Sequence, residues 1–131
     1  MTLFLLDANV LIALVTQEHV HHERAAHWAA GIDHFALCPM VEGAFVRFAT
    51  RLGARPADAQ EALRIVRQRR GFELLPELLS YTDIDLGHVR GHRQVSDAYL
   101  AALAASQPDT KLATLDEGLA ADLPDLTLLL A

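Results

Sequence analysis

The sequence predicts a three-layer α/β fold, with a central parallel sheet of about five strands and helices on both faces. Three observations support this fold class. Short apolar runs alternate with longer amphipathic segments, which is typical of repeated strand–helix–strand units. The first run, Leu3–Leu6, is apolar at every position and therefore predicts a strand buried on both faces. All five prolines fall at breaks between the predicted elements, where proline is tolerated.

The elements follow from these patterns in chain order. Apolar residues spaced three and four positions apart predict helices, and continuous apolar runs predict strands. Gly31, Gly53 and Gly71 stand at the ends of three predicted helices, where glycine is common. The predicted elements are strand 3–6, helices 8–16 and 20–31, strand 35–38, helices 40–53 and 57–70, strand 72–75, helices 84–90 and 95–106, strand 111–115, a short helix at 118–121 and strand 126–130.

Length and composition predict a single domain over residues 1–131. The chain is 52% hydrophobic and 21% charged, which is typical of a globular protein and not of a disordered one. No apolar run approaches the roughly 20 residues of a membrane-spanning helix, and the amino terminus lacks the features of a secretory signal. Cys38 is the only cysteine, so neither an intrachain disulfide nor a cysteine-based zinc site can form. We therefore expect a cytoplasmic protein with no membrane partner.

The basic charge is concentrated in one part of the chain. Seven of the eleven basic residues, all arginines, lie between Phe45 and Gly71 against two acids, so this stretch carries +5 while the whole chain carries −6. Such an asymmetry is expected of a surface that meets phosphate. Charge runs most often form a solvated helix face, and that alternative stays open here.

Four carboxylates interrupt apolar sequence. Asp7 closes the strand Leu3–Leu6, and Asp116 closes a later strand in the same way. Glu42 lies early in the helix that follows the second strand, and Asp97 opens a helix that is otherwise almost uncharged. Each acid alone is explained by helix capping or by the helix dipole. Together they lie at strand ends and helix starts, which meet at one edge of a parallel sheet.

A convergence of four carboxylates favours a bound cation. Such groups repel one another unless a divalent ion offsets their charge, and oxygen ligands favour Mg²⁺ or Mn²⁺. These ions activate water and offset phosphate charge in phosphodiester hydrolysis. Asn9, Ser96 and Thr114 are candidate supporting residues that would orient a carboxylate or a bound water.

In order, spacing and overall length these motifs resemble PIN-domain ribonucleases, and in particular the VapC toxins of bacterial toxin–antitoxin pairs. The residues that carry the resemblance are Asp7-Ala8-Asn9, Glu42, Ser96-Asp97-Ala98-Tyr99-Leu100 and Thr114-Leu115-Asp116. The resemblance implies Mg²⁺- or Mn²⁺-dependent cleavage of RNA by an acidic quartet, a homodimer and a cognate antitoxin. The quartet maps onto Asp7, Glu42, Asp97 and Asp116. Some relatives have a further acid where this chain has Gly118.

On this interpretation arginines guide the RNA backbone. The candidates are Arg47, Arg51, Arg64, Arg67 and Arg93, with Arg90 as a further possibility. The histidines between His19 and His27 suggest a metal site less strongly than they suggest a solvated helix start.

Two other functions remain open from the sequence. An aspartyl-phosphate phosphohydrolase would use Asp7 as its nucleophile, but that chemistry usually has a second acid where this chain has Asn9. A non-catalytic RNA- or partner-binding module on the same fold would be expected to lack one or more of the four acids, and all four are present.

Overall fold

The computed structural model describes residues 1–131 and contains five strands and six α-helices. In chain order they are β1 (Leu3–Leu6), α1 (Ala8–Val15), α2 (His22–Ala30), β2 (Phe35–Leu37), α3 (Pro39–Arg51), α4 (Pro56–Arg67), β3 (Phe72–Leu74), α5 (Val95–Ala105), β4 (Thr110–Thr114), α6 (Glu117–Asp122) and β5 (Thr127–Leu129). Two 3₁₀ turns, at Tyr81–Asp83 and His92–Gln94, lie between β3 and α5.

All five strands form one parallel sheet in the order β3-β2-β1-β4-β5. The central pairing joins β1 to β4 with Leu5 opposite Leu112. The chain first moves outward from β1 through β2 to β3, and then crosses back to β4 and β5. The direction therefore reverses between β1 and β4, and open α/β sheets bind ligands at the carboxyl ends of the strands at such a switch point.

The same connectivity explains why helices cover both faces. Crossovers between parallel strands are right-handed, so connections that run in opposite directions along the sheet lie on opposite faces. Accordingly α1 packs against α2 and α3, and α3 packs against α4, whereas α5 packs on β4. The predicted fold class is confirmed.

The core is built from the strands and the helix sides that face them. Leu5, Leu37 and Leu112 on the three central strands are fully buried, and burying one such side chain contributes about 1.5–3 kcal/mol. In α5 the small Ala101 and Ala104 are also buried, which lets that helix lie close to the sheet. Asp97 is carried at the start of this tightly packed helix. No helix in the chain is both long and apolar enough to cross a membrane.

The helix predicted at 84–90 is absent, and this prediction was wrong. Asp85 Oδ1 accepts a hydrogen bond from the Gly87 backbone N at 2.8 Å, and Val89 N donates to Leu86 O at 3.0 Å. A short acidic side chain that bonds the nearby backbone competes with helix formation, and glycine weakens a helix further. The other helices and the strands begin and end within three residues of their predicted limits.

Candidate active site

Asp7 joins the end of β1 to the start of α1. Its backbone N donates to Ala113 O at 2.9 Å, which continues the pairing with β4. Its Oδ1 accepts from Ala8 N at 2.7 Å and so caps α1. Only 5% of Asp7 is exposed. The carboxylate therefore caps the helix and also lies at the switch point of the sheet, so the two interpretations of the sequence do not exclude each other.

Thr114 links the ends of the two central strands. Its hydroxyl donates to Asp7 Oδ2 at 2.8 Å and accepts from Asp116 N at 3.0 Å. Asn9 completes the connection, because its Nδ2 donates to Thr114 Oγ1 at 3.4 Å and its Oδ1 accepts from Leu115 N at 3.1 Å. Thr114 is fully buried. These bonds fix the relative positions of Asp7 and Asp116.

Asp116 is the most open of the strand-end acids. It caps α6 through Oδ1, which accepts from Leu119 N at 3.1 Å, while its Oδ2 has no hydrogen-bond donor within the chain. The residue is exposed. One oxygen is therefore held by the helix start and the other is available to a ligand.

Asp97 lies in the first turn of α5 and is electrostatically coupled to both strand-end acids. Burial and, to a smaller extent, the charges of Asp7 and Asp116 together raise the pKa of Asp97 to about 6. Burial also raises the pKa of Asp7, and the charge of Asp116 adds to this, although the hydrogen bonds from Thr114 and Ala8 oppose it. Three of the four predicted acids thus share one electrostatic environment.

Glu42 lies apart from these three acids. It is half-buried in the first turn of α3, which follows β2 at the same edge of the sheet. Its charge is not among those that raise the pKa of Asp7 or Asp97. No three His, Cys, Asp or Glu side chains of the chain lie so that they could hold a metal ion between them. Ser96, which precedes Asp97, is exposed.

A small acidic cavity of about 80 Å³ opens beside Asp97 and Asp116. The remaining lining residues are His88, Arg90, Gln94, Gly118, Leu119 and Asp122. Arg90 Nη2 lies 3.1 Å from Asp122 Oδ2, and His88 Nε2 is buried without a hydrogen-bond partner. His88 and Asp122 are not identified from the sequence. His88 lies in residues 79–94, which have no regular pattern, and Asp122 directly follows the short helix predicted at 118–121 with no further signal.

Glu77 is a further carboxylate at this edge that the sequence analysis missed. It follows β3, and its Oε2 accepts a hydrogen bond from Met40 N in the first turn of α3. Burial raises the pKa of the Cys38 thiol to about 11, and the charge of Glu77 contributes. Cys38 is therefore a buried neutral thiol and not a nucleophile. The signal that identified the other acids, a carboxylate just after a strand, was present here too.

The arginines are not equivalent. Arg47 and Arg51 are exposed on α3 and form no ion pair, and Arg93 is exposed in the turn before α5. Arg64 Nη1 lies 3.1 Å from Glu61 Oε2, and the Arg67 guanidinium lies 5.4 Å from the ring centre of Phe72.

The last two arginines of the basic stretch lie elsewhere. Arg69 and Arg70 precede β3, and Arg70 lines a cavity with Met1, Asp33 and His34, which precede β1 and β2. They therefore lie at the amino edge of the sheet, opposite the carboxylates. The expectation that the whole basic stretch serves one surface is wrong for these two residues.

In the histidine-rich stretch, one side chain contacts the adjacent backbone and another contacts the backbone of α1. His19 Nδ1 accepts from His21 N at 3.0 Å, and His22 Nδ1 lies 2.8 Å from Ala13 O. These contacts hold the turn that leads into α2.

Residues 4–122 match the PIN domain family. The chain is 52% identical to ribonuclease VapC29 of Mycobacterium tuberculosis over 117 residues, which cover 88% of this chain and 87% of that protein. It is 37% identical to ribonuclease VapC38 of the same species over 121 residues, covering 87% and 85% of the two chains.

Two solved structures share the fold. VapBC2 from Rickettsia felis, bound to a DNA fragment from its promoter, superposes with a TM-score of 0.68 at 15% identity and covers 97% of each chain. VapC20 of M. tuberculosis, a toxin that cleaves the sarcin–ricin loop, gives a TM-score of 0.66 at 18% identity and covers 90% of this chain and 93% of its own. The chain therefore belongs to the PIN-domain family, among the VapC-type ribonucleases.

Proposed function

We propose that this chain is the toxin of a type II toxin–antitoxin pair and cleaves RNA with a Mg²⁺ or Mn²⁺ ion held by Asp7, Glu42, Asp97 and Asp116. The observation that carries the proposal is the coupling of three carboxylates, Asp7, Asp97 and Asp116, at the switch point of a parallel sheet. Buried carboxylates whose pKa is raised by burial and by neighbouring negative charge, as for Asp7 and Asp97, are costly to keep ionised without a cation. The 52% identity to ribonuclease VapC29 supports the choice of RNA as substrate.

The oxygen donors of the four acids suit a hard cation whose coordination is completed by other ligands. The acids offer only oxygen donors, which Mg²⁺ and Mn²⁺ prefer. Mg²⁺ usually keeps several waters and binds through one or two carboxylates together with substrate phosphates. No group of three such side chains in the chain is arranged to hold a metal ion, so water and substrate phosphate would have to supply the remaining ligands. When bound, the cation supplies water activation and offsets the charge of the phosphate.

The chain's own residues supply orientation. Thr114 holds Asp7 Oδ2, and Ala8 N holds Oδ1, so Asp7 cannot rotate freely. Asp116 keeps one oxygen in the cap of α6 and offers the other. Asp97 is half-buried on a rigid helix and must be ionised to take part, which makes its protonation state part of the mechanism. Ser96, beside it, is proposed to orient a water.

Arg47, Arg51, Arg64, Arg67 and Arg93 are the proposed contacts to the RNA backbone. Arg47, Arg51 and Arg93 have no ion pair to break, whereas Arg64 would have to leave Glu61. Guanidinium groups bind phosphate through two parallel hydrogen bonds. Because such binding releases counterions from the RNA, the affinity should fall steeply as the salt concentration rises.

The proposed partners are a cognate antitoxin and a second copy of this chain. The structural relative from R. felis is a VapBC2 complex, which supports a partner of the antitoxin class. An antitoxin that places a basic side chain among Asp7, Asp97 and Asp116 would occupy the position of the metal or the phosphate. The homodimer and the cytoplasmic location rest on the family resemblance and on the single cysteine, respectively.

The geometry favours attack by water over attack by Asp7. Both oxygens of Asp7 accept hydrogen bonds and the residue is 5% exposed, so its carboxylate is poorly placed to reach a phosphorus atom. Asn9 bonds Thr114 and Leu115 and thereby holds the strand end. These contacts give Asn9 a positioning role where a phosphohydrolase of the aspartyl-phosphate class has an acid.

The test is RNA cleavage by the purified, partner-free chain with Mg²⁺ or Mn²⁺ and with EDTA. We expect cleavage that EDTA abolishes, and a loss of more than roughly 100-fold in Asp7→Asn and Asp97→Asn, since even outer-shell changes cost up to that amount. Asp33→Asn is the matched control, because Asp33 is exposed at the opposite edge of the sheet. Cleavage that persists in Asp7→Asn, or in EDTA, would overturn the proposal.

A further inference from the structure

Arg90 is the only Lys or Arg side chain that lines the acidic cavity. Its guanidinium Nη2 lies 3.1 Å from Asp122 Oδ2, on the same cavity wall as Asp97 and Asp116. The side chain of Arg90 is 70% exposed, whereas that of Asp122 is 24% exposed. The guanidinium is therefore the more accessible member of the pair, and the carboxylate is the more buried one.

Both members are tied to elements that carry proposed catalytic acids. Arg90 N donates to Gln94 Oε1, and Gln94 directly precedes α5, on which Asp97 lies. Asp122 is the last residue of α6, the helix that Asp116 caps. The ion pair thus joins the two elements that flank the cavity. A group held there lines the same cavity as Asp97 and Asp116.

The pair is weak enough to exchange partners. An exposed ion pair contributes little net stability, because water competes for both groups. Arg90 makes one contact to Asp122, from Nη2 to Oδ2 at 3.1 Å, whereas a guanidinium can bind phosphate through two parallel charge-assisted hydrogen bonds. An RNA phosphate close to Arg90 therefore competes effectively with Asp122.

We propose that Arg90 binds an RNA phosphate at the mouth of the acidic cavity, and that Asp122 holds the guanidinium in place until RNA arrives. This inference rests on the proposed ribonuclease function and adds to it a specific phosphate contact outside the basic stretch of residues 47–70. Arg90 contacts the substrate, and Asp122 acts through Arg90 as a positioning residue that competes with the substrate.

The inference predicts opposite effects at the two positions. Arg90→Gln removes the phosphate contact, so we expect RNA affinity to fall about tenfold. The slope of log affinity against log salt should become shallower by about 0.7, which corresponds to one phosphate contact on a single strand. Asp122→Asn removes the competing carboxylate and should strengthen binding about two- to fivefold, which is the scale of an exposed ion pair.

The double variant separates this exchange from general electrostatics. If Asp122 acts through Arg90, then Asp122→Asn has no effect on RNA affinity once Arg90 is Gln. If Asp122 only repels the RNA, its replacement strengthens binding equally in both backgrounds, and the inference fails. Arg90→Lys keeps the charge without the two-pronged geometry, and we expect it to restore part of the affinity and most of the salt slope.

The experiment is fluorescence anisotropy of a labelled single-stranded RNA in Mg²⁺, with Asp7→Asn in every protein to prevent cleavage. Arg24→Gln and Asp125→Asn are matched controls, because both residues are exposed and neither lines the cavity. In the active protein, Arg90→Gln should raise KM for RNA and leave kcat nearly unchanged.

The possible failures are distinguishable. If the wild-type chain cleaves RNA but Arg90→Gln binds RNA like Arg24→Gln, this inference is wrong and the proposed function stands. If the wild-type chain neither cleaves nor binds RNA, the proposed function and this inference fail together. Thermal unfolding of each variant checks that the change in affinity does not come from a loss of structure.

Discussion

Thr114 donates its hydroxyl proton to Asp7 Oδ2 across 2.8 Å, although the two residues are 107 positions apart in the sequence. The Thr114 hydroxyl oxygen in turn accepts a hydrogen bond from Asp116 N at 3.0 Å. One buried side chain therefore positions two carboxylates that belong to different strands. Groups whose hydrogen bonds are fully used inside a protein hold a single geometry, and outer-shell groups of this kind orient metal ligands.

Replacement of Thr114 by the isosteric valine should damage both stability and cleavage. The change keeps the shape but leaves the Asp7 carboxylate and the Asp116 N–H without their buried partner, which costs about 1–3 kcal/mol in the free energy of unfolding. RNA cleavage should fall about 10–100-fold, as expected when an outer-shell partner is lost. Urea denaturation and a cleavage assay measure the two effects. Thr114→Ser keeps the hydroxyl and should restore most of the activity, whereas equal losses in both variants would contradict this role.

The stability of the metal-free chain should depend on pH through Asp97. Burial and the charges of Asp7 and Asp116 raise the pKa of Asp97 from 3.8 to about 6 in the folded protein. The folded state therefore holds the proton more tightly than the unfolded state. The resulting stabilisation is complete below pH 3.8 and is lost as the pH rises through about 6.

A shift of this size corresponds to about 3 kcal/mol at most, and solvent screening of the half-buried group reduces it to about 1–2 kcal/mol. Denaturation between pH 5 and pH 7.5 in EDTA measures the difference. Asp97→Asn should be more stable than wild type near pH 7.5 and should show a flatter profile. Part of the pH dependence of stability should persist in Asp97→Asn, because the pKa of Asp7 is raised in the same direction. A wild-type profile as flat as that of Asp97→Asn would contradict the coupling.

Much of the fold could be predicted because its signals are local. Apolar runs such as Leu3–Leu6 predict buried parallel strands, and the alternation with amphipathic segments predicts their crossovers. The order of the strands does not follow from local pattern, because it depends on which distant segments pair. The segment 84–90 has a composition that suits a helix. Instead, the Gly87 backbone N donates to the Asp85 carboxylate, and this hydrogen bond replaces the helical pattern.

The positions of Asp7 and Asp116 at the ends of β1 and β4 were predictable, because each follows an apolar run. The contacts that make these acids a unit were not predictable, because Thr114 and Asn9 act across the sheet. The segment that carries Arg90 has no regular period, so nothing in its sequence shows which side chains face the cavity. The concentration of arginines in the sequence suggests one basic surface, but it does not show where each arginine lies. Arg69 and Arg70 adjoin the basic helices in sequence, yet they lie at the amino edge of the sheet, opposite the carboxylates.

Gly71 should be far less tolerant of alanine than Gly53. Both have a positive φ, +84° and +97°, which side chains other than glycine adopt at a cost of about 1–2 kcal/mol. A Cβ at Gly71 would also lie 1.8 Å from the carbonyl oxygen of Asp33, whereas a Cβ at Gly53 would meet no atom within 4 Å. We expect Gly71→Ala to lower the free energy of unfolding by more than about 3 kcal/mol and Gly53→Ala by about 1 kcal/mol. Urea denaturation tests this, and equal losses would contradict the close approach.

The two groups of arginines should differ in their effect on RNA. Arg47 and Arg51 are unpaired on α3, the helix that carries Glu42, whereas Arg69 and Arg70 lie at the amino edge of the sheet. Each double change to glutamine removes two positive charges, so the variants are matched in net charge. The α3 variant should lose two phosphate contacts, which makes the slope of log affinity against log salt shallower by about 1.4, while the amino-edge variant should keep nearly the wild-type slope. Equal slopes in an anisotropy titration would show that net charge alone, and not its position near the carboxylates, governs RNA binding.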